Sequence, residues 1–151
     1  MTGWTIRRAG TDDAVAAGRL LCDFNTEYDE PTPPPERLAV RVRELLAHGD
    51  TQILLGGEGP DGIAVLRFRP AIFTAGLECY LAELYVAPDR RGQGLGRALM
   101  EAAIALAREA GADTMDLGTH ETDTAARRLY ESLGFTQLED GEPNFFYERE
   151  L

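Results

Sequence analysis

The residues best able to do chemistry sit together in one octet, Arg90-Arg91-Gly92-Gln93-Gly94-Leu95-Gly96-Arg97. Three alternate glycines remove the Cβ atoms that would hold a ligand away from the main chain. The octet separates a strand-like run, residues 79–86, from a helix-like run, residues 95–110. A helix opening there leaves its first N–H groups unpaired, convergent and at the positive end of the dipole. That arrangement receives a phosphate or pyrophosphate. Arg90, Arg91 and Arg97 add positive charge around it. Two common phosphate loops do not fit. A dinucleotide fingerprint has glycine at its first, third and sixth positions, and counting from Gly92 the sixth is Arg97. A Walker A loop needs Gly-Lys-Ser/Thr, and this chain has no lysine.

A second chemical region is acidic. Asp23, Glu27, Tyr28, Asp29 and Glu30 surround the start of a proline-rich stretch ending at Pro35. Carboxylates beside an aromatic suit a cation. Cys22 and Cys79 make neither a disulfide framework nor a metal cluster, and no metal is expected. Cys79 lies on a strand without an evident base partner, so no covalent intermediate on it is expected.

The elements that must position these groups follow from periodicity. Residues 4–8 alternate like a strand, and Thr11-Asp12-Asp13 reads as a helix start. Ala14, Ala17, Leu20, Leu21 and Phe24 then recur at helical spacing. A second helix spans about 35–48, with Leu38, Val42, Leu45 and Leu46 on its apolar face. Residues 52–55 and 63–68 read as paired strands, and 78–86 as a third, stopped by Pro88. Helix 95–110 ends at Gly111, residues 114–117 form a strand, and helix 124–133 ends at Gly134. Residues 135–138 and 145–148 read as two last strands. The order β-α-α-β-β-β-α-β-α-β-β predicts an α/β (mixed α+β) fold. It has a mostly antiparallel mixed sheet of about seven strands, with about four helices on both faces.

Composition bounds the rest. One domain over residues 1–151 is expected from 151 residues that are 44% hydrophobic. The net charge of −11 disfavours nucleic acid and anionic membrane and favours cationic partners. Met1-Thr2-Gly3-Trp4 carries no leader pattern, and no apolar run is long enough to span a bilayer, so a cytoplasmic address is expected.

Two motifs carry a family resemblance. The spacing Arg91-x-x-Gly94-x-Gly96 meets the pattern Gln/Arg-x-x-Gly-x-Gly/Ala of an acyl-CoA pyrophosphate loop. Residues 81–99, from Leu81-Ala82-Glu83-Leu84-Tyr85-Val86 through the octet, resemble strand 4, loop and helix 3 of the GNAT superfamily of acetyl-CoA-dependent N-acetyltransferases. Asp123-Thr124-Ala125-Ala126-Arg127-Arg128-Leu129-Tyr130-Glu131-Ser132-Leu133-Gly134-Phe135 resembles that family's later signature. The resemblance covers residues 78–137, implied to be the CoA-binding core. The first 75 residues match only in layout, and residues 20–48 among them are implied to bind the acceptor.

The resemblance implies acetyl-CoA as co-substrate, held at its pyrophosphate by amides of Arg91, Gly92, Gln93, Gly94, Leu95, Gly96 and Arg97. The pantetheine arm would run beside Leu84, Tyr85 and Val86, with the sheet splayed between strands 4 and 5 beyond Pro88. The Leu84 N–H would face the thioester oxygen. Tyr130 falls at the position of the general acid. Asp123 replaces a usual asparagine, which keeps the helix cap but loses an amide donor to the cofactor. A base is needed because a protonated alkyl amine has a pKa of about 10.4. On a regular strand Glu78, Tyr80, Ala82 and Leu84 share a face opposite Glu83. A bulge would turn Glu83 into the cleft, where it would act through water. Glu78, Tyr80 and His120 are the other candidates. Asp23, Glu27, Tyr28 and Tyr80 would contact a cationic amine acceptor. Family members often form homodimers, and strands 135–138 and 145–148 could exchange across such an interface. The alternative to an enzyme is a CoA-binding sensor or interaction module without turnover.

Overall fold

The computed structural model describes residues 3–151; the first two residues of the N-terminal leader reading lie outside the described residues. The chain divides into two compact units, residues 1–116 and 117–151.

In the larger unit, β1 (Ile6–Arg8), β2 (Thr51–Gly56), β3 (Gly62–Pro70), β4 (Leu77–Val86) and β5 (Ala112–Asp116) form one sheet in that spatial order. The first four strands pair antiparallel, and β5 joins β4 in parallel. Helices α1 (Ala14–Glu27) and α2 (Pro35–His48) cover one face. Their Ala14, Ala17, Leu20, Ala39 and Val42 pack against Ile53, Leu55, Ile63, Val65 and Tyr85. The two helices can approach because Gly18 has no side chain. A Cβ there would lie 2.8 Å from the Pro35 carbonyl oxygen and 2.9 Å from the Ala39 nitrogen.

Helix α3 (Leu95–Glu109) packs on the other face. Gly56 and Gly62 are register partners on β2 and β3. Leu95 and Leu99 rest on this side-chain-free spot, since a Cβ on Gly56 would come within 2.6 Å of Leu95 Cδ1. The glycine pair thus seats the first turn of α3 close to the sheet. Leu95 and Leu99 are 1% and 0% exposed, so that seat is dry.

The smaller unit holds α4 (Thr124–Ser132) and a hairpin of β6 (Leu138–Glu139) and β7 (Glu142–Pro143). All four helices predicted from periodicity are present. The single seven-stranded sheet is corrected to a five-stranded sheet and a separate two-stranded one. The strand predicted at 135–138 is reduced to β6, which starts at its last residue, and the strand predicted at 145–148 is absent: β7 falls instead on Glu142–Pro143, just after the Asp140-Gly141 turn, where both residues have positive φ. Phe145, Phe146 and Tyr147 lie outside any strand and are exposed. Their apolar content, read as strand propensity, has no partner strand to pair with among the described residues.

Candidate active site

The phosphate-loop prediction rests on backbone geometry that the structure supplies. Pro88–Arg90 forms a single 3-10 turn, and Gly94, with φ of 85°, is the N-cap of α3. Gly92 also has a positive φ, 74°. Both conformations are costly for residues with a Cβ. No side chain caps this helix end. Its first backbone bond runs from the Ala98 N–H to the Gly94 carbonyl, 3.0 Å. The amides from Gly92 to Gly96 donate to no described backbone group. A curl of free amides at a helix start fits a diphosphate.

The loop arginines are arranged differently from the simple rim of charge expected. Arg90 lies 3.5 Å from Asp61, and Arg97 pairs with Glu101 one turn along α3. Arg91 turns back: its Nε donates to the Val86 carbonyl at 3.0 Å, and its guanidinium grips both oxygens of Glu27 at 2.8 and 2.9 Å. The Tyr85 hydroxyl donates to the same carboxylate at 3.2 Å, and Arg91 lies over the Tyr85 ring. The Arg91 hydrogen bond holds Glu27 below the usual carboxylate range. Glu27 therefore ties the end of α1 to the loop, and its charge is met by Arg91.

Strand β4 carries the decisive irregularity. Val65 pairs with Glu83, but the next residue, Leu66, pairs with Leu81. Ala82 is the extra residue of a β-bulge. Upstream of it, Glu78 and Tyr80 lie opposite Arg69 and Arg67. Downstream, Glu83 and Tyr85 lie opposite Val65 and Ile63, which belong to the layer beneath α1 and α2. Without the bulge, Glu83 would point into the apolar layer under α3, where an unpaired carboxylate is heavily penalised.

With the bulge, Glu83 reaches a cavity of about 180 Å³. Leu21, Phe24, Leu38, Val42, Ile53 and Val65 supply most of its wall, with Asn25, Arg67 and Glu83 as its polar members. Burial pushes the Glu83 carboxyl above its ordinary pKa. Neither Glu83 nor Arg67 has an ion-pair or hydrogen-bond partner among the described residues.

The pairing of β4 with β5 ends at Tyr80–Asp116. The sheet therefore opens before Leu84, not beyond Pro88 as expected, and residues 81–86 have no β5 partner. Leu84, Tyr85 and Val86 all lie on this stretch. Of the other base candidates, Glu78 is paired with Arg69. Tyr80 is 36% exposed on the cavity-facing side of the strand, and His120 is exposed in the smaller unit. Asp23 and Tyr28 are exposed on and just after α1, outside the cavity wall. Cys79 is fully buried, and burial with the nearby Asp116 pushes its thiol up to about 11, which makes it a poor nucleophile.

In the smaller unit, Asp123 accepts from the Ala126 N–H at 3.1 Å and caps α4. Tyr130 is buried, edge-on to Phe135 at 6.1 Å. Burial, then the Asp123 charge, pushes its phenol up to about 12, so it stays protonated at neutral pH.

Sequence reading missed Arg67 and the apolar wall contributed by α1 and α2. Arg67 had one legible signal: it continues the Ile63-Val65 alternation of β3 with a charge.

The family model for acetyltransferase (GNAT) proteins matches residues 18–135, and the chain belongs to that family. A crystal structure described as a "putative acetyltransferase" from Arthrobacter sp. FB24 superposes with a TM-score of 0.90 at 46% identity, covering 97% of this chain and 96% of that one. A mycothiol acetyltransferase of Thermobispora bispora is 36% identical over 135 residues, 86% of this chain. The match spans only 40% of that relative's length. An aminoglycoside N(6')-acetyltransferase type 1 of Stenotrophomonas maltophilia is 29% identical over 140 residues, covering 89% of this chain and 88% of the relative. Among the described residues no helix is long and apolar enough to cross a membrane, and no group of three or more potential metal ligands occurs.

Proposed function

We propose that this protein transfers an acetyl group from acetyl-CoA to a primary amine by direct attack within a ternary complex. The observation that carries the reading is the β4 bulge. It sets the Glu83 carboxylate in a cavity on the strand that leads, through Leu84, Tyr85 and Val86, into the amide cradle of α3.

Acetyl-CoA supplies the activated acyl carbon. Within the loop 91–97 the free amides of Gly92 to Gly96 hold its diphosphate, and the stretch of β4 without a β5 partner lies where an extended pantetheine can add as a strand. The Leu84 N–H stabilises negative charge developing on the carbonyl oxygen, a contribution of about 3–4 kcal/mol in comparable sites. Glu83, through water, takes the ammonium proton. Its burial-raised pKa brings it closer to the amine it must deprotonate. As the C–N bond forms and the C–S bond breaks, Tyr130 gives its proton to the departing sulfur, and the second proton shed by the nitrogen restores the Tyr130 phenol. That role rests on the match of residues 123–135 to the family motif. Asp123 serves as the α4 cap rather than as a cofactor ligand. A cytoplasmic, homodimeric enzyme is the form we assign to it.

The test is release of free CoA thiol from acetyl-CoA over a panel of amines, with calorimetry of CoA binding alongside. Turnover that falls by a large factor in Tyr130→Phe with CoA affinity retained supports the enzyme. Tight CoA binding without turnover on any amine favours a sensor module. No binding at millimolar CoA, on folded protein, defeats both.

A further inference from the structure

The acceptor cavity carries two opposite charges on an apolar floor, and this limits what it can take. We propose that the acceptor is a compact zwitterion: an α-amino acid with an apolar side chain, its amine toward Glu83, its carboxylate on Arg67 and its side chain among Leu21, Phe24, Leu38 and Val42. The inference rests on the acetyltransferase reading above and names the substrate class of that same site.

Three observations carry it. Glu83 and Arg67 both line the cavity and lack partners among the described residues, so each has a charge to offer a ligand. Val65 is the register partner of Glu83 and Arg67 lies two residues further along the same face of β3. Such diagonal positions are about 7–8 Å apart. A water at Glu83, an α-amine and its carboxylate bridge that span. The remaining wall is apolar and the cavity holds about 180 Å³. A single Leu-, Met- or Phe-like side chain fills such a space, whereas small-molecule sites for larger ligands run to roughly 300–1,000 Å³. A polyamine or aminoglycoside would bring several cations to a wall that offers one carboxylate and one guanidinium. The acidic groups that would suit such a polycation are elsewhere: Glu27 is taken by Arg91, and Asp23 is outside the wall.

The experiment measures CoA release with leucine, leucinamide, 3-methylbutylamine, spermidine and kanamycin as acceptors, in the native protein and in Arg67→Ala. Arg67 is exposed, so its replacement spares the core. Leucine should exceed leucinamide and 3-methylbutylamine in kcat/KM by about 10-fold or more, the size of one charged hydrogen bond. Arg67→Ala should bring the leucine to 3-methylbutylamine ratio close to one, through KM. Arg67→Lys should restore part of it. Preference for spermidine or kanamycin, or an unchanged ratio in Arg67→Ala, overturns the inference and leaves the acetyltransferase reading standing. Release from none of the acceptors overturns that reading and this inference with it.

Discussion

The amide cradle at the start of α3 and the cavity beneath α1 and α2 share strand β4 but are built in different ways. The cradle is local. Its glycines, its 3-10 turn and its free amides all come from residues 88–98. The cavity is assembled from five elements spread along the sequence, α1, α2, β2, β3 and β4, with a single inserted residue deciding which side chain enters it. In the function proposed above, main chain binds in the first region and side chains react in the second. On that reading the proposed cofactor cradle is fixed by local geometry, while acceptor choice rests on side chains that can change without touching it.

The largest expected effect tests the cavity alone. Glu83→Gln should lower kcat by about 10²- to 10⁴-fold, the usual range for a lost general base, with the acetyl-CoA KM little changed. In the native protein kcat/KM should rise with pH as Glu83 ionises. The stability sign runs the other way. A carboxyl raised above its unfolded pKa supports the fold when protonated and loses that support as pH rises through its folded value. Glu83→Gln should therefore melt no lower than native protein at neutral pH, and a marked drop in Tm would recast Glu83 as structural.

Gly94→Ala tests the cradle alone. Its φ of 85° should cost a residue with a Cβ roughly 1–2 kcal/mol. The acetyl-CoA KM should rise by roughly 5- to 30-fold, while relative acceptor preferences stay fixed. A change in acceptor ranking would join what the structure keeps separate. Gly56→Ala reaches the cradle from beneath, because its Cβ would overlap Leu95 Cδ1. Overpacking of about 1–3 kcal/mol should appear as a lower Tm. Its effect on acyl-CoA KM should exceed its effect on acceptor KM.

Glu27→Gln cuts the link between the regions. The Arg91–Glu27 pair is partly exposed, with side chains 41% and 27% accessible, so its loss should cost no more than about 1 kcal/mol. Both KM values should shift together and modestly. The smallest effect belongs outside either region. Asp13, hydrogen-bonded to Arg7 and to the Gly10 N–H, has its pKa lowered to about 2. A lowered carboxyl supports the fold above its unfolded pKa and loses that support as pH falls through the folded value. Asp13→Asn should be slightly less stable than native protein at neutral pH, and the difference should fade between about pH 4 and 2 in denaturant titrations.

Legibility tracked locality. The octet 90–97 could be read as an amide cradle because glycine spacing before a helix dictates backbone conformation without help from elsewhere. Helices α1 to α4 were legible from apolar periodicity. What the arginines of that octet do was not legible. Arg91 turns toward Glu27, 64 residues away, and only packing of α1 against the sheet brings the two together. The short hairpin after α4 was overread because the aromatic residues 145–147 look like a strand wherever they stand. Glu83 was a conditional reading, since alternation put it on one face and a bulge on the other.

By itself the sequence determined the order of elements, the glycine-built helix start and the membership of Tyr130 and Asp123 in one helix motif, because each depends on neighbours within a turn or two. Tertiary structure alone decided that Ala82 is the bulged residue, that Glu27 is spent on Arg91, and that Arg67 shares an apolar cavity with Glu83. Those outcomes hang on strand register and helix packing. A one-residue slip in register exchanges the two faces of a strand, and no local propensity is strong enough to fix it.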